Sequence, residues 1–270
     1  MRHRVCLGVE YDGSQFHGWQ TQTQTPLSIT TVQDTLEVAL SIVVASPIKT
    51  ICAGRTDAGV HATGQVVHFD TNTHRSERAW VYGANTELPS AVRVLWARIV
   101  PDVFNARRSA LRRRYRYIIY NHPIRPSLLR QYMTWYYRKL DIERMQAGAL
   151  HWLGEHDFSS FRAAQCQSHS PIRRVDSIQI KRLGDQVILE IVANAFLHHM
   201  VRNMVGVLLK IGSGLAVPLW AKEVLLSRDR RTAGVTAPPQ GLYLTEVEYS
   251  SEFDLPINDL ETFPHIAIIK

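Results

Sequence analysis

Cysteines are few in this sequence of 270 residues, and long apolar runs are absent from it. The three cysteines, Cys6, Cys52 and Cys166, are far apart and form no Cys-x-x-Cys pair, which excludes the usual disulfide frameworks and structural zinc sites. The apolar run at 5–9 ends at Glu10 and is too short for the core of a signal peptide. No stretch approaches the roughly 18 apolar residues that a membrane span needs. We therefore expect a reduced, cytoplasmic protein that does not cross a membrane.

Acidic residues are missing from one segment, residues 103–140, which contains nine arginines, one lysine and no Asp or Glu. Its local charge is +10 while the whole chain carries +7, so the remainder of the chain is mildly acidic. Arginine supplies planar, permanently charged donors that suit phosphate, and the interleaved Tyr115, Tyr117 and Tyr120 can stack on bases. The segment favours an anionic partner, above all nucleic acid; the alternative is a solvated basic strand face.

Hydrophobic periodicity predicts strands and helices that alternate without a strict βαβ repeat. Strands are expected at 5–10, 48–53, 65–70, 92–100, 112–120, 174–180, 186–194 and 242–249, and helices after Thr31 and at 76–87, 141–152 and 196–211. The pattern predicts an α+β fold: two related α/β halves that form one large mixed, mainly antiparallel sheet with flanking helices and a central cleft. The basic segment marks the predicted boundary, with an N-terminal domain at 1–106 and a C-terminal domain at 107–270.

The loop at 53–62 is the most specific segment, because it presents Arg55 and Asp57 between small residues. Its two glycines have the spacing of a phosphate-binding loop, but Val60 and His61 stand where that motif needs Lys and Ser or Thr. A thin backbone of this kind suits a ligand that must come close. Taken alone, Asp57 has a structural alternative, in which its carboxylate accepts N–H bonds from the turn.

This loop resembles the catalytic loop of the bacterial tRNA pseudouridine synthases that act on the anticodon stem-loop. Further segments resemble the same family in the same order and extend the resemblance over nearly the whole chain. They lie at 11–13, 16–22, 31–37, 83–89, 110–121, 157–162, 196–206 and 237–242. The resemblance implies an enzyme that detaches uracil from its ribose, turns it and rejoins it through carbon, with no cofactor and no metal.

In this family the residue matched by Asp57 is the catalytic carboxylate, and a carboxylate nucleophile divides one difficult step into two. Whether it attacks the base or the sugar stays open. Tyr115 matches a tyrosine that packs against the target base and is a candidate proton acceptor; its alternative is a core aromatic. Arg202 matches the arginine that pairs with the carboxylate; its alternative is an arginine on a helix surface. With Asp57, these two complete the predicted catalytic set.

The predicted substrate contacts, besides Tyr115, are Arg55, His61, Arg112 and Arg114. Arg55 matches the family's arginine that helps to extrude the target nucleotide, since a stacked uridine must be flipped before chemistry can reach it. His61 is either an RNA contact or a histidine that caps the turn. Arg112 and Arg114 are expected to bind phosphates.

The family's targets are uridines 38, 39 and 40 of the tRNA anticodon stem-loop, and the family works as a homodimer. A metal site at His198 and His199 is not expected, because neighbours on a helix point to different faces. The His-x-Glu and Pro-Cys-x-x-Cys signature of zinc deaminases is missing. Two other functions are kept: a catalytically inactive RNA-binding protein, and an aspartate-nucleophile hydrolase of a small anion, which would need an Asp-x-Asp loop and a metal.

Overall fold

A computed structural model describes residues 2–22 and 30–256. Within these ranges there are five α-helices and ten β-strands, and the strands form a mixed, mainly antiparallel sheet. The predicted fold class, α+β with a large mixed sheet and flanking helices, is confirmed. None of the helices in the described ranges has the length and apolar character that crossing a bilayer requires.

The chain divides into two compact units, one made of Met1–Leu111 with Leu244–Lys270 and the other of Arg112–Tyr243. The change from one unit to the other falls close to the beginning of the basic segment. The C-terminal strand belongs mainly to the first unit. The predicted domains at 1–106 and 107–270, in contrast, place this strand in the second domain.

In the first unit, β1 (His3–Tyr11) lies between β3 (His61–Thr71) and β4 (Val92–Val100), and both pairs are antiparallel. The short β2 (Ile51–Cys52) also pairs with β3. Two helices, α1 (Val32–Val44) and α2 (Glu77–Glu87), follow β1 and β3 in the chain. Strand β3 begins four residues earlier than predicted, so the glycine-rich loop ends at Val60 and His61 already belongs to the sheet.

Helix α1 begins where its sequence predicts. The Thr31 side chain accepts the N–H of Asp34, which satisfies one of the donors that a helix N-terminus leaves open. Leu36 and Leu40 lie on the apolar face and are fully buried. The prediction of a capped helix at this position is confirmed.

In the second unit, strands β5 to β9 are Arg112–Asn121, Thr134–Tyr136, Gly154–Asp157, Ile172–Leu183 and Gln186–Ala193. Their order is β5-β9-β8-β7 with antiparallel pairing, and β6 adds to β5 in parallel, which makes the sheet mixed. The helices are α3 (Ile142–Ala149), α4 (Met200–Gly212) and α5 (Trp220–Ser227). Finally, β10 (Leu242–Glu248) neighbours β3 in the first unit.

The predicted helix at 196–211 is wrong at its start. Helix α4 begins at Met200 because His199 takes a left-handed conformation, with φ of 63°. Phe196 therefore lies outside the helix, and its ring contacts Tyr115 edge-on at 4.9 Å between centroids. The four-residue spacing that assigned Phe196 to the same helical stripe as Met200 was misleading.

Candidate active site

The Asp57 loop is held by the segment that follows β1. A Cβ at Gly13 would overlap the carbonyl group of Val60, so only glycine allows the chain to pass there. Gly18 has φ of +90°, and a Cβ on it would lie 2.9 Å from the Thr56 carbonyl oxygen and 3.2 Å from the Asp57 carbonyl carbon. At these two glycines the segment that follows β1 is in direct contact with the backbone of the loop on both sides of Asp57.

Hydrogen bonds fix the same loop at its first residues. The N–H of Trp19 donates to the Thr56 carbonyl at 3.0 Å, and the Thr56 hydroxyl shares a 2.7 Å hydrogen bond with that of Tyr11. Gln65, which is fully buried on β3, donates its side-chain N–H to the Gly54 carbonyl at 2.7 Å. Because Trp19, Thr56 and Tyr11 are buried, water does not compete for these bonds.

Asp57 itself stands at a turn between these fixed points. The N–H of Val60 donates to the Asp57 carbonyl at 3.1 Å, and the N–H of Gly59, whose φ is +76°, donates to the Phe16 carbonyl at 3.4 Å. The N–H groups of Gly59 and Val60 are thus both paired with backbone carbonyls. The side chain is half-buried, while Arg55 two residues before it is exposed.

His61 is nearly inaccessible, with 2% of its surface exposed. Its Nδ1 accepts the backbone N–H of Gly13 at 3.1 Å, so the ring proton of the neutral form is on Nε2. Asp12 Oδ1 lies 3.2 Å from the same nitrogen and accepts the N–H of Ser14 instead. These contacts favour the alternative in which His61 stabilises the loop over the one in which it touches RNA.

Tyr115 is buried in β5, directly opposite Ile191 of β9. Strand alternation places Arg113, Tyr115 and Tyr117 on one face of the sheet. Tyr117 is fully buried and donates its hydroxyl to the Pro238 carbonyl at 2.8 Å, and burial raises the pKa of this phenol far above its ordinary value. Tyr115 stands beside this fixed aromatic at the margin of the core.

Arg202 is half-buried on α4, and its Nε donates to the Ala237 carbonyl at 2.8 Å. In return the N–H of Ala237 donates to the Arg202 carbonyl at 3.1 Å. One turn later, a Cβ at Gly206 would overlap the Val235 carbonyl oxygen, so glycine is what allows the segment before β10 to reach the helix. The guanidinium therefore has a fixed orientation, unlike that of a free surface arginine.

Asn203 is a further structural residue that sequence reasoning missed. It is fully buried, donates to the Phe161 carbonyl at 2.7 Å and accepts the Thr236 hydroxyl at 2.7 Å and Arg230 Nη2 at 2.9 Å. This one amide joins α4 to two other segments and so helps to position Arg202. The only signal in the sequence was that Asn203 lies inside the 196–206 motif, and the resemblance gave this residue no role.

Comparison with known proteins identifies the family. A family model described as tRNA pseudouridine synthase matches residues 8–107 and 149–250. Proteins named tRNA pseudouridine synthase A are 55% identical over 96% of this chain and 98% of the relative in Coxiella burnetii, and 54% identical over 95% and 96% in Legionella pneumophila. The Pseudomonas aeruginosa protein of the same name is 54% identical, with 94% of this chain and 88% of its own length covered.

The chain belongs to the tRNA pseudouridine synthase family. It is therefore an isomerase of tRNA uridine, and the inactive RNA-binding alternative is not favoured. Asp57 lies in the first matched part and Arg202 in the second, whereas Tyr115 lies between the two matched parts. The roles of these residues stay predictions.

In this synthase the basic strand is less available to RNA than its composition indicates. Arg114 and Arg116 both bond Glu190 on β9, at 2.8 and 2.9 Å, and Arg112 lies 3.2 Å from Asp176 on β8. Burial would raise the pKa of the Glu190 carboxyl, but the bond from Arg116 and the charge of Arg114 outweigh it and lower that pKa. The Glu190 carboxylate thus offsets part of the strand's charge, and the ion pair between Arg112 and Asp176 offsets a further part.

The prediction that His198 and His199 of the synthase bind no metal was made from a wrong premise. His198 and His199 do not lie on different faces of a helix, because they precede α4, and their rings lie 4.1 Å apart. The expectation that they bind no metal stays a prediction.

Proposed function

We propose that this synthase converts uridine to pseudouridine at positions 38, 39 and 40 of the tRNA anticodon stem-loop, with Asp57 as the nucleophile. The reaction breaks the bond between ribose C1′ and uracil N1 and forms a bond from C1′ to C5. C5 then loses its proton and N1 takes one up, so the product is an isomer of the substrate. No electrons are gained or lost, so the proposed chemistry needs no redox cofactor. The observation that carries the proposal is the loop that glycines and buried hydrogen bonds hold on both sides of Asp57.

The roles proposed for the other site residues follow from the resemblance and from their local setting. Tyr115 would pack against the base and serve as a candidate acceptor for the C5 proton. Arg202 would pair with the carboxylate and offset its desolvation when the base covers it. Its bond to the Ala237 carbonyl supports that role, because a guanidinium already oriented loses less entropy on pairing.

Extrusion of the target nucleotide is proposed to depend on Arg55. It is exposed, and it is separated from Asp57 by one residue, so it can follow a flipped nucleotide and occupy the space left in the stack. Arg112 and Arg114 remain proposed phosphate contacts, reduced in strength by Asp176 and Glu190. We further propose that the enzyme acts in the cytoplasm, as a homodimer of two-domain subunits, without a metal.

The direct test is to incubate the protein with an unmodified tRNA transcript that carries tritium at C5 of uridine, in the presence of a chelator. Release of tritium and mapping of pseudouridine at 38, 39 and 40 are expected. A transcript with cytidine at those three positions is the matched control and should release none. Tritium release from the control would contradict the target positions, and activity that survives the chelator would exclude the metal-dependent hydrolase alternative.

A further inference from the structure

Arg162 and Arg173 of the second unit lie side by side around a single serine. Arg162 donates to the Ser168 carbonyl at 2.9 Å, and Arg173 donates to the Ser168 hydroxyl at 2.7 Å. Their other bonds also end on backbone oxygens, those of Cys166 for Arg162 and of Ser170 and Ile172 for Arg173. Across residues 2–22 and 30–256, no carboxylate bonds either guanidinium.

A third positive charge is close to this pair. Arg113, of which 9% is exposed, donates to the Asn194 carbonyl at 2.8 Å. Partial burial lowers the pKa of Arg173; the charge of Cys166 opposes this shift, and the positive charges of Arg162 and Arg113 add to it. Like charges held together at the edge of a core repel one another unless an anion offsets them.

Arg173 also has a hydrogen-bond donor without a partner in the described part of the chain. Its Nε–H is buried and makes no hydrogen bond within the described part of the chain. Nε and Nη2 form the edge of the guanidinium that grips phosphate or carboxylate in bidentate fashion. A buried donor without a partner is costly, so this edge is suited to an acceptor that the chain itself does not supply.

The pKa of the nearby Cys166 thiol is lowered, in part by the same positive charge. Burial would raise its pKa, but backbone hydrogen bonds from Ser168 and His198 and the positive charge of Arg162 outweigh burial and lower it. The position therefore favours a negative charge over a neutral group. Cys6 and Cys52, by contrast, are buried, and burial raises the pKa of Cys52 to about 12.

We propose that Arg162 and Arg173, with Arg113 beside them, form a subsite for one phosphodiester group of the tRNA backbone. The inference rests on the proposed function, since it assigns a further contact to the same substrate. Phosphate oxygens supply the acceptors that the Arg173 edge requires, and their charge offsets the repulsion between the Arg162 and Arg173 guanidinium groups. The subsite also gives a role to Arg162, the last residue of the 157–162 motif.

The experiment compares three variants by their tRNA affinity between 50 and 200 mM salt. Arg173→Gln should weaken binding several-fold and reduce the slope of log affinity against log salt by about one, as the loss of one phosphate contact does. Arg173→Lys should keep most of the slope but lose affinity, because lysine lacks the bidentate edge. Arg231→Gln is the control: it removes the same charge from a position whose side chain is 90% exposed and bonds Asp229, and should leave the slope unchanged.

Alkylation of Cys166 by iodoacetamide gives a second readout and distinguishes RNA from free phosphate. Bound tRNA should slow the reaction at least several-fold in the wild-type enzyme, whereas a few millimolar inorganic phosphate should not. An unchanged affinity and slope in Arg173→Gln, or no protection by tRNA, would overturn the subsite. Protection by phosphate equal to that by tRNA would instead assign a small-anion site. If these binding results fail while the wild-type enzyme still forms pseudouridine, the proposed function is unaffected.

Discussion

The Asp57 loop and the basic strand β5 position their charged groups in opposite ways. In the loop, glycines and neutral hydrogen bonds fix the backbone, and Asp57 extends from it at a turn. On the strand, regular pairing with β9 fixes the backbone, and carboxylates of neighbouring strands hold the arginines. Position is thus set by close packing in the first case and by opposite charge in the second.

The difference has consequences for how each region responds to change. Close packing tolerates almost no increase in volume, because a backbone carbonyl cannot move away as a flexible side chain does. Ion pairs near the surface contribute little to stability and are screened by salt. We therefore expect steric changes to dominate at the loop, and charge and salt to dominate at the strand.

Gly18→Ala should show the largest of these effects. The added Cβ would meet the Thr56 carbonyl at 2.9 Å in a backbone conformation that alanine rarely adopts. Displacing Asp57 by even an ångström should lower kcat on the order of 100-fold, since misplaced reacting groups cost that much. Single-turnover pseudouridine formation measures it.

Gly184→Ala is the control for that change. Gly184 has φ of +57° in the turn between β8 and β9, and a Cβ there would meet no atom within 4 Å. It should lower the free energy of unfolding by about 1 kcal/mol and leave kcat unchanged. Equal loss of activity in both variants would mean that backbone strain alone, and not contact with the Asp57 loop, matters.

Replacing Arg112 and Arg114 together by Gln should have a moderate effect. Two phosphate contacts would account for a change of nearly two in the salt slope. Because Asp176 and Glu190 already bond these arginines, we expect weaker tRNA binding with a slope change smaller than two. A salt titration of tRNA affinity measures it, and an unchanged slope would mean that this strand face does not meet RNA.

Glu190→Gln should act in the opposite direction. Removing this carboxylate releases part of the charge of Arg114 and Arg116, so tRNA affinity should rise a few-fold and its salt slope should steepen. Glu155→Gln, an exposed position on β7, removes the same charge without touching these arginines and is the control. If the two variants behave alike, general charge explains the effect and the specific pairing does not.

The smallest effect concerns pH and the first unit. Burial, with a further contribution from Arg4, lowers the pKa of His68 to about 4, and its Nδ1 accepts the N–H of Ala106 at 3.1 Å. The unfolded chain binds this proton at a higher pH than the folded one. The stability that neutral His68 contributes is therefore fully present above about pH 6.5 and is lost as pH falls towards 4.

Urea unfolding between pH 7 and 4 measures this loss. His68→Asn keeps an acceptor for Ala106 but does not titrate, so its unfolding midpoint should fall less over that range. Hydrogen bonds from Arg4 lower the pKa of the Asp70 carboxyl to about 2. The stability that its ionised form contributes is therefore fully present above pH 3.8 and is lost only below that pH, outside the range of this titration. A wild-type midpoint that stays constant down to pH 4 would contradict the His68 account.

Much of the fold was predictable where local signals were strong. Strand β4 has the predicted bounds, Thr31 caps α1 as its sequence indicates, and α2 begins at Glu77, one residue after its predicted start. Three elements were missed: the short β6 and β7, which carry too few residues for a period, and α5, which has no side-chain cap. The start of α4 was mispredicted because nothing local indicates that His199 takes a positive φ.

The candidate site was predictable in its members but not in its supports. Asp57 and Arg55 could be singled out from a thin loop between two strands. The contacts of Gly13 and Gly18 with that loop join segments about 40 residues apart, and the bonds of Asn203 and Ala237 around Arg202 depend on tertiary packing. Likewise, composition revealed the arginines of β5 but not the carboxylates that bond them.

The most direct test of the account is Asp57→Asn, measured in one preparation for tritium release from C5-labelled tRNA and for tRNA affinity. Asn preserves the shape of the side chain but cannot act as the nucleophile, so turnover should disappear while affinity stays within a few-fold of the wild type. Turnover comparable to that of the wild type would contradict the assignment of the chemistry to this carboxylate.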